Sequence, residues 1–369
     1  MEVDYVHFIL ATYFAARVLA GFKRWLLAAD VTYITFISVY MWSNTPLLTL
    51  ALPFFLGVGA VGVGVFSNYA GLASALSIYG IYLMFQPEPH LQALGFVLAI
   101  LSPAALLPTA RDRGSLEGLF RYLVISAFAS AFLFIGLGHR GSPLGEVFLL
   151  LAVALELGVA PMFLWVPDVY GRSHPAGLAI LASLPKLSAA FALLAFRPAP
   201  PATLAFVLGG LSMAVGNLGA LTSVDLRRIL AYSTVAHSGF AVFIYPLHPE
   251  VALALVLADA FGKLGLFYAM ATGAPTWVGK TLAIHQIGLP PLFGFWPKML
   301  LVLITAERLG WGPALYVLVN VVLVAPYYFR LMDQLPTGRS ALPVLVAATV
   351  VSLGVVAPLW LIYHISSLL

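Results

Sequence analysis

Seven ionisable side chains lie inside long apolar segments, and they are the residues of this sequence best suited to chemistry. They are Glu156, Lys186, His237, Asp259, Lys263, His285 and Lys298. A charge at the centre of a bilayer is costly, so such residues are rare there and mark ion or proton pathways. We therefore expect a proton relay made of Glu156, Lys186, His237, Asp259, Lys263 and Lys298.

Each of these charges also has a structural alternative. Asp259 and Lys263 are four residues apart with the acid first, which is the favourable helical pairing, so they could simply neutralise each other. Lys186 and Lys298 have no acid within a helical turn. Each must find a carboxylate on another helix, reach water or lose its proton, so we assign both a functional role.

The histidines and arginines leave further alternatives open. A buried histidine is often only a hydrogen-bonding residue, and His237 and His285 could in principle hold a haem. Arg17 and Arg121 lie nearer the ends of apolar segments, where a long side chain can extend to the membrane surface.

Prolines interrupt two of the segments that carry these charges. Pro161 follows Glu156 by five residues, and Pro290 and Pro291 precede Lys298. Proline removes a backbone donor and blocks the carbonyl four residues earlier. Free carbonyls at membrane depth are tolerated only where protein or water satisfies them, and ion carriers build their sites from such broken helices. We therefore predict helix breaks at these three prolines.

Composition identifies the environment in which these residues must work. The 369 residues are 62% hydrophobic and only 9% charged, and the mean hydropathy is +1.01. A soluble domain is about 25% charged, so a soluble fold is excluded. The absence of cysteine excludes iron–sulfur clusters, cysteine-ligated zinc and thiol catalysis. We expect no cofactor, no metal and no nucleic acid, and the N-terminus lacks the basic segment of a cleaved signal peptide.

Transmembrane helices are the elements that must position the charges, and each needs about 20 apolar residues. Fourteen spans are predicted, at approximately 5–22, 26–42, 47–67, 69–85, 90–109, 117–138, 144–166, 175–196, 202–223, 227–246, 250–272, 281–306, 311–333 and 341–365. The proline-containing spans are five apart and so run in opposite directions, which predicts two inverted five-helix repeats. We place N-terminal helices at 1–68, the repeats at 69–196 and 202–333, and a C-terminal helix at 341–369. The fold class is an all-α integral membrane protein.

The loops predict the orientation of these spans. Loops after odd-numbered spans hold ten lysines and arginines, whereas loops after even-numbered spans hold three. Positive loops stay in the cytoplasm, so both termini are predicted to lie outside. The expected location is the plasma membrane of a prokaryotic cell.

Several motifs resemble one family of membrane proteins. Residues 158–174, GVAPMFLWVPDVYGRSH, and 181–194, LASLPKLSAAFALL, are similar to helices 7 and 8 of the antiporter-like subunits of respiratory complex I. GNLGALTSVDLRRILAYSTVAHSGF at 216–240 is similar to the helix 9–10 region, most closely that of the N-type subunit. GLPPLFGFWPK at 288–298 resembles the broken helix 12, and 259–267 resembles helix 11 of the M- and L-type subunits. Related subunits occur in membrane-bound hydrogenases and multisubunit sodium/proton antiporters.

The resemblance implies a function and also exposes two departures from it. The family moves protons along buried lysines joined by water, and Lys186 and Lys298 match its helix 8 and helix 12 lysines. The family keeps a glutamate on helix 5, but residues 95–103 contain no acid. It keeps a lysine on helix 7 where Glu156 stands here. Glu156 and Lys186 are therefore expected to form a replacement pair.

Three hypotheses follow from these patterns. The first is a proton-translocating subunit of a complex I-like NADH/quinone, ferredoxin or hydrogenase oxidoreductase, whose partners are other membrane subunits and whose redox chemistry lies in other chains. The second is a scaffold subunit that no longer pumps. The third is sodium/proton exchange, with Glu156 or Asp259 coordinating sodium.

Overall fold

Helices joined by short turns make up most of the computed structural model, which describes residues 12–13, 27–44, 70–104 and 112–368. The helices in these ranges are α1 Leu27–Asn44, α2 Ala70–Met84, α3 Pro89–Leu101, α4 Arg113–Gly138, α5 Pro143–Leu157, α6 Trp165–Arg172, α7 Pro175–Leu181, α8 Leu184–Phe196, α9 Ala202–Thr222, α10 Leu226–Ile244, α11 Pro249–Thr272, α12 Thr276–Ile287, α13 Phe295–Leu309, α14 Trp311–Val322, α15 Val324–Met332 and α16 Ala341–Leu368. No strand occurs in the described ranges, where one isolated bridge joins Ala274 and Thr337. The predicted all-helical class is confirmed.

Several of these helical segments are long and apolar enough to cross a membrane. Within the described part of the chain they are 113–138, 143–172, 175–196, 202–222, 249–272 and 311–332. The predicted spans at 47–67 and, apart from residues 12–13, at 5–22 lie outside the described residues, as does Arg17. The chain is a multi-pass helical membrane protein.

The centre of the bundle is formed by the segments 175–196 and 249–272. In each of these two segments, 94% of the most apolar stretch is buried inside the protein, compared with 28% in 113–138 and 33% in 311–332. A helix that is apolar on all sides is a buried helix. These two most buried segments carry Lys186, Asp259 and Lys263, so three of the seven ionisable residues lie on the helices with the least outward surface.

Glycines bring α9 and α10 into close contact. Gly209 and Gly216 on α9 face the backbone of α10, and Gly239 on α10 faces the backbone of α9. Without a hydrophobic driving force between helices in lipid, such small residues let backbones approach and gain van der Waals contact. This contact fixes α10, which carries His237, within the bundle.

The helices that carry the predicted prolines are interrupted. α5 ends at Leu157, Gly158 is left-handed with φ 74°, and α6 begins at Trp165 after a 3₁₀ turn at Met162–Leu164. α12 ends at Ile287, Gly288 is left-handed with φ 84°, and α13 begins at Phe295. Pro161, Pro290 and Pro291 lie in these unwound segments.

Two further interruptions were not predicted. α7 and α8 are separated by Ala182 and Ser183, and α14 and α15 are separated by Leu323. At the second interruption, Asn217 Nδ2 donates to the carbonyl oxygen of Asn320 at 2.9 Å. A side chain from α9 thus bonds a backbone carbonyl close to this interruption.

Candidate functional site

All six residues predicted for the relay are buried. Glu156, Lys186, His237, Asp259, Lys263 and Lys298 are each at most 4% exposed. Buried charges require a partner or a hydrogen-bonding environment, since an isolated charge in an apolar interior is very costly. The contacts of each residue therefore indicate what it can do.

Lys186 lies at the end of the first broken helix. Its Nζ donates to the carbonyl oxygen of Leu157 at 2.8 Å and lies 3.3 Å from Ser238 Oγ. Ser238 Oγ donates to the same Leu157 oxygen at 2.7 Å. Leu157 is the last residue of α5, and the C-terminus of a helix carries partial negative charge. The break therefore supplies the site that holds the lysine.

Lys298 lies at the end of the second broken helix in the same way. Its Nζ donates to the carbonyl oxygens of Gln286 at 2.6 Å and Ile287 at 3.1 Å, the last residues of α12. It also lies 5.8 Å from the centre of the Phe240 ring, a cation–π distance. Two lysines far apart in sequence thus share one kind of site, a helix C-terminus opened by a left-handed glycine.

Glu156 is bound by hydroxyl groups of α4. Tyr122 Oη contacts Glu156 Oε1, and Ser126 Oγ donates to Oε2 at 3.2 Å. Tyr122 Oη also lies 3.0 Å from the carbonyl oxygen of Ile100. A tyrosine hydroxyl has one proton and a carbonyl only accepts, so both contacts are satisfied when Glu156 is protonated and donates to Tyr122.

Glu156 and Lys186 do not contact each other directly. Their side chains have separate partners, and no ion pair joins them among the residues described. Their link is through the backbone, since Glu156 immediately precedes the residue whose carbonyl holds Lys186. The two residues lie within electrostatic reach of each other without touching, and the expected replacement pair stays a prediction.

Asp259 and Lys263 form an ion pair, and Lys263 also contacts two hydroxyl groups. Lys263 Nζ lies 3.4 Å from Asp259 Oδ1 and donates to Ser233 Oγ at 2.9 Å and to Tyr328 Oη at 2.7 Å. Ser233 Oγ and Tyr328 Oη are 2.8 Å apart. The two residues do neutralise each other, as the sequence spacing suggested. They also have hydroxyl neighbours that can carry a proton to and from the pair.

His237 lies beside this cluster. Its Nδ1 is 2.8 Å from the Ser233 carbonyl oxygen and 3.7 Å from Asp259 Oδ1. Because the carbonyl only accepts, Nδ1 carries a proton and Nε2 of the neutral ring is free to accept one. The next residue, Ser238, contacts Lys186. His237 thus lies between the Lys186 site and the cluster of Asp259 and Lys263.

His285 has a structural role. Gly294 N–H donates to Nδ1 at 3.0 Å, and Nε2 bonds the Ala258 carbonyl at 2.9 Å. Both ring nitrogens are occupied, and together they tie the unwound segment after α12 to α11. No nitrogen remains for a haem iron, so that alternative is excluded for His285.

Five hydroxyl residues of the site were missed from the sequence. They are Tyr122, Ser126, Ser233, Ser238 and Tyr328. The spacing of Ser233 and His237, four residues apart on one helical face, could have indicated the serine.

A buried acid was missed as well: Asp30 on α1 accepts from Tyr13. Arg121, expected at the membrane surface, is partly exposed and pairs with Asp168.

In the described part of the chain, no group of three or more His, Cys, Asp or Glu side chains is placed to hold a metal ion. Buried lysines at opened helix ends, joined to hydroxyls and a histidine, are instead groups that bind and transfer protons. The fold and site define a multi-pass helical membrane protein with broken helices around buried titratable groups.

Known proteins are similar to this chain in sequence. Residues 118–276 match the family described as NADH:quinone oxidoreductase/Mrp antiporter, TM. The chain is 30% identical over 319 residues to NADH-quinone oxidoreductase subunit 14 of Thermus thermophilus, covering 74% of this chain and 71% of that protein. It is 30% identical over 305 residues to NADH-quinone oxidoreductase subunit N of Chromohalobacter salexigens, covering 67% and 64%. The chain belongs to this family of antiporter-like membrane subunits, which confirms the resemblance drawn from the motifs.

Solved structures show the same fold at low identity. A chain of respiratory complex I from Thermus thermophilus with bound aureothin superposes with a TM-score of 0.81 and 22% identity, covering 97% of this chain and 98% of that chain. A chain of the Mrp complex from Dietzia sp. DQ12-45-1b gives a TM-score of 0.70 and 18% identity, covering 91% and 76%. The fold is therefore that of the membrane subunits of these complexes.

Proposed function

We propose that this chain is a proton-translocating, antiporter-like membrane subunit of a complex I-like oxidoreductase. One observation carries the proposal: two buried lysines, Lys186 and Lys298, each sit on carbonyls at the opened end of a broken helix. Asp259 and Lys263 lie within electrostatic reach of both. Buried ionisable groups are rare in membrane proteins and mark ion or proton pathways, which is the role proposed for this chain of groups.

The relay runs from Lys186 through the His237 cluster to Lys298. A proton that leaves Lys186 Nζ reaches His237, whose Nε2 accepts it while Nδ1 releases its own. Lys263 and Asp259 receive it, and Lys298 governs release at the outer side. Moving one charge against 100 mV requires about 2.3 kcal/mol, which must come from the driving reaction in other chains.

The partners are other membrane subunits, and the redox chemistry is theirs. The relatives are named as subunits of NADH-quinone oxidoreductases, which are multisubunit complexes. A quinone or ferredoxin reaction elsewhere would alter the position or charge of a group near Glu156. This chain would convert that change into proton movement across a prokaryotic plasma membrane.

The finer architecture belongs to the same proposal: fourteen spans, two inverted repeats at 69–196 and 202–333, and both termini outside. Support comes from the matching construction of the two breaks. Each has a helix end, a left-handed glycine, an unwound segment with proline, and a lysine on the freed carbonyls. Similar construction in the two halves is what an internal repeat would produce.

Proton uptake by the assembled complex in lipid vesicles tests the function. Lys186→Met and Glu156→Gln are expected to lower proton uptake per electron transferred, with the larger loss for Lys186→Met because it removes the amine that carries the proton at the Leu157 carbonyl. The exposed residues Lys280 and Glu307 provide matched controls as Lys280→Met and Glu307→Gln. Normal pumping in both site variants would refute the proposal.

A scaffold that does not pump is the second candidate, because Glu156 is held by Tyr122 and Ser126 and not by Lys186. Unchanged pumping by the whole complex in both variants, with assembly impaired only by removal of the chain, would favour it. Sodium/proton exchange is distinguished in the same assay, since uptake would then depend on sodium concentration.

A further inference from the structure

Helix α15 carries the hydroxyl group that bonds Lys263, and it begins at a weakened joint. Tyr328 Oη accepts from Lys263 Nζ at 2.7 Å and lies 2.8 Å from Ser233 Oγ. Leu323 separates α14 from α15 and forms the joint between them. Pro326, in the first turn of α15, has no N–H to donate to the carbonyl four residues earlier. The joint therefore lacks a helical hydrogen bond just before Tyr328.

Packing alone gives α14 little support on the other side of the joint. Its buried side chains are Ala314, Val317 and Asn320, which are three residues apart and form one narrow stripe. Trp311 and Leu315 are 82% and 61% exposed. Of the three buried residues, Asn320 is the polar one and lies nearest to the joint.

Asn217 of α9 forms hydrogen bonds on both sides of this joint. Its Nδ2 donates to the carbonyl oxygen of Asn320 at 2.9 Å and to Asn320 Oδ1 at 3.0 Å, and its Oδ1 accepts from Tyr327 Oη at 3.2 Å. All three residues are at most 3% exposed. Asn320 precedes Leu323 and Tyr327 follows it, so one buried amide spans the interruption. We call Asn217, Asn320 and Tyr327 the asparagine clasp.

Helix α9 gives the clasp a fixed support. A Cβ added at Gly216 would collide with the backbone of Ala236 on α10, so the two helices are in close contact beside Asn217. At the end of α9, Arg330 of α15 donates to the carbonyl oxygen of Ala220 at 3.0 Å. Helix α15 is therefore attached to α9 at two places, and α9 is packed against the helix that carries Ser233.

We propose that Asn217 is a positioning residue, which holds the joint between α14 and α15 so that Tyr328 Oη stays on Lys263. The proposal rests on the proposed function and names a residue that acts on the relay through another helix. An amide does not carry a proton at neutral pH, and the hydrogen bonds of Asn217 go to Asn320 and Tyr327. An effect of Asn217 on Lys263 must therefore pass through α15.

The pH profile of proton uptake by the assembled complex distinguishes positioning from general support. The titratable groups around Lys263 come from several helices and are Asp259, His237, Tyr327, Tyr328, Lys186 and Lys298. Asn217→Leu is expected to lower uptake per electron about threefold and to move the profile by about one pH unit, because the Lys263 ammonium loses a hydrogen-bond acceptor. The shift should have the same direction as in Tyr328→Phe. A purely structural role would lower uptake and leave the profile in place.

The double variant shows whether Asn217 acts through Tyr328. In the Tyr328→Phe background, Asn217→Leu is expected to have no further effect on uptake or on the profile, whereas independent effects would multiply. A further loss by the full factor of the single variant, or an unmoved profile in Asn217→Leu, would show that the positioning role is wrong. Should Asn217→Leu fail to assemble, Asn320→Leu removes one bond of the clasp and is judged by the same two criteria.

Gln92 offers a matched control, since it is a buried amide that joins elements away from Lys263. It is 5% exposed, donates to the Gln86 carbonyl at 2.8 Å and accepts from Arg140 at 3.2 Å. Gln92→Leu is expected to leave the pH profile unchanged. The same shift in Gln92→Leu as in Asn217→Leu would mean general loosening of the bundle and would overturn the proposal.

Lys186→Met separates the positioning role from the proposed function. If Lys186→Met abolishes uptake while Asn217→Leu leaves the pH profile in place, only the positioning role fails. If Lys186→Met pumps normally, the proposed function fails and the positioning role fails with it. Loss in Lys186→Met together with a shifted profile in Asn217→Leu supports both.

Discussion

Two buried lysines of this protein are held by backbone carbonyl groups that have no partner within their own helix. Lys186 and Lys298 have no carboxylate at contact distance in the described structure and instead bond carbonyl oxygens at helix ends. A carbonyl attracts the ammonium group without fixing its proton, since a neutral amine still has two N–H donors. Such a site can hold a lysine in either protonation state, which is what a relay requires.

Lys263 differs because it has a charged partner. We expect Lys263→Met to destabilise the protein by about 3 kcal/mol, because it leaves Asp259 buried without its counter-charge. The double variant Asp259→Asn with Lys263→Met should recover most of this loss. Denaturant unfolding in detergent micelles measures both, with the exposed Lys280→Met as the reference. A double variant no more stable than Lys263→Met would contradict the pairing.

Helices act here mainly through their interruptions. An intact helix would satisfy the carbonyls of Leu157, Gln286 and Ile287 internally and offer no site for a lysine. The left-handed glycines at 158 and 288 end the first half of each broken helix and expose those carbonyls. His285 then fixes the second break by bonding across it.

Gly288 is the position where the break and the lysine can be tested together. A Cβ added there would lie 2.7 Å from Lys298 Cδ, and its φ of 84° disfavours any other residue. We expect Gly288→Ala to cost about 1–2 kcal/mol of stability and to displace Lys298 from its carbonyls, lowering proton uptake.

Gly312 offers the matched control for that substitution. A Cβ at Gly312 would meet no atom within 4 Å, and the residue is in a helix with ordinary φ. Gly312→Ala should leave uptake and stability nearly unchanged. If Gly288→Ala lowered stability but left proton uptake normal, the position of Lys298 on its carbonyls would not matter for function.

The whole molecule arranges its charges by depth in the bundle. The two most buried segments carry Lys186, Asp259 and Lys263, while α4 and the segment 311–332 turn most of their residues outward. Outward apolar faces suit lipid and neighbouring subunits, whereas ionic contacts such as Arg172 with Asp168 and Glu117 lie at an exposed end. This separation keeps the relay away from lipid.

The absence of cysteine makes the predicted orientation directly testable. Val224, 82% exposed, follows an odd-numbered span, and the exposed His139 follows an even-numbered one. A membrane-impermeant maleimide added to intact cells should label His139→Cys and spare Val224→Cys until the cells are opened. The opposite pattern would invert the proposed orientation, and the parent protein gives the unlabelled background.

The sequence by itself determined the membrane environment, the helical class, the buried charges and the places where proline would interrupt helices. These depend on composition and local rules, because a bilayer admits few structures and a proline acts on its own helix. Only the tertiary structure decided which groups meet: Glu156 with Tyr122, Lys186 with a carbonyl, Lys263 with Tyr328. Those contacts join residues from 29 to 65 positions apart on different helices, and their geometry depends on how the helices pack, which no local pattern encodes.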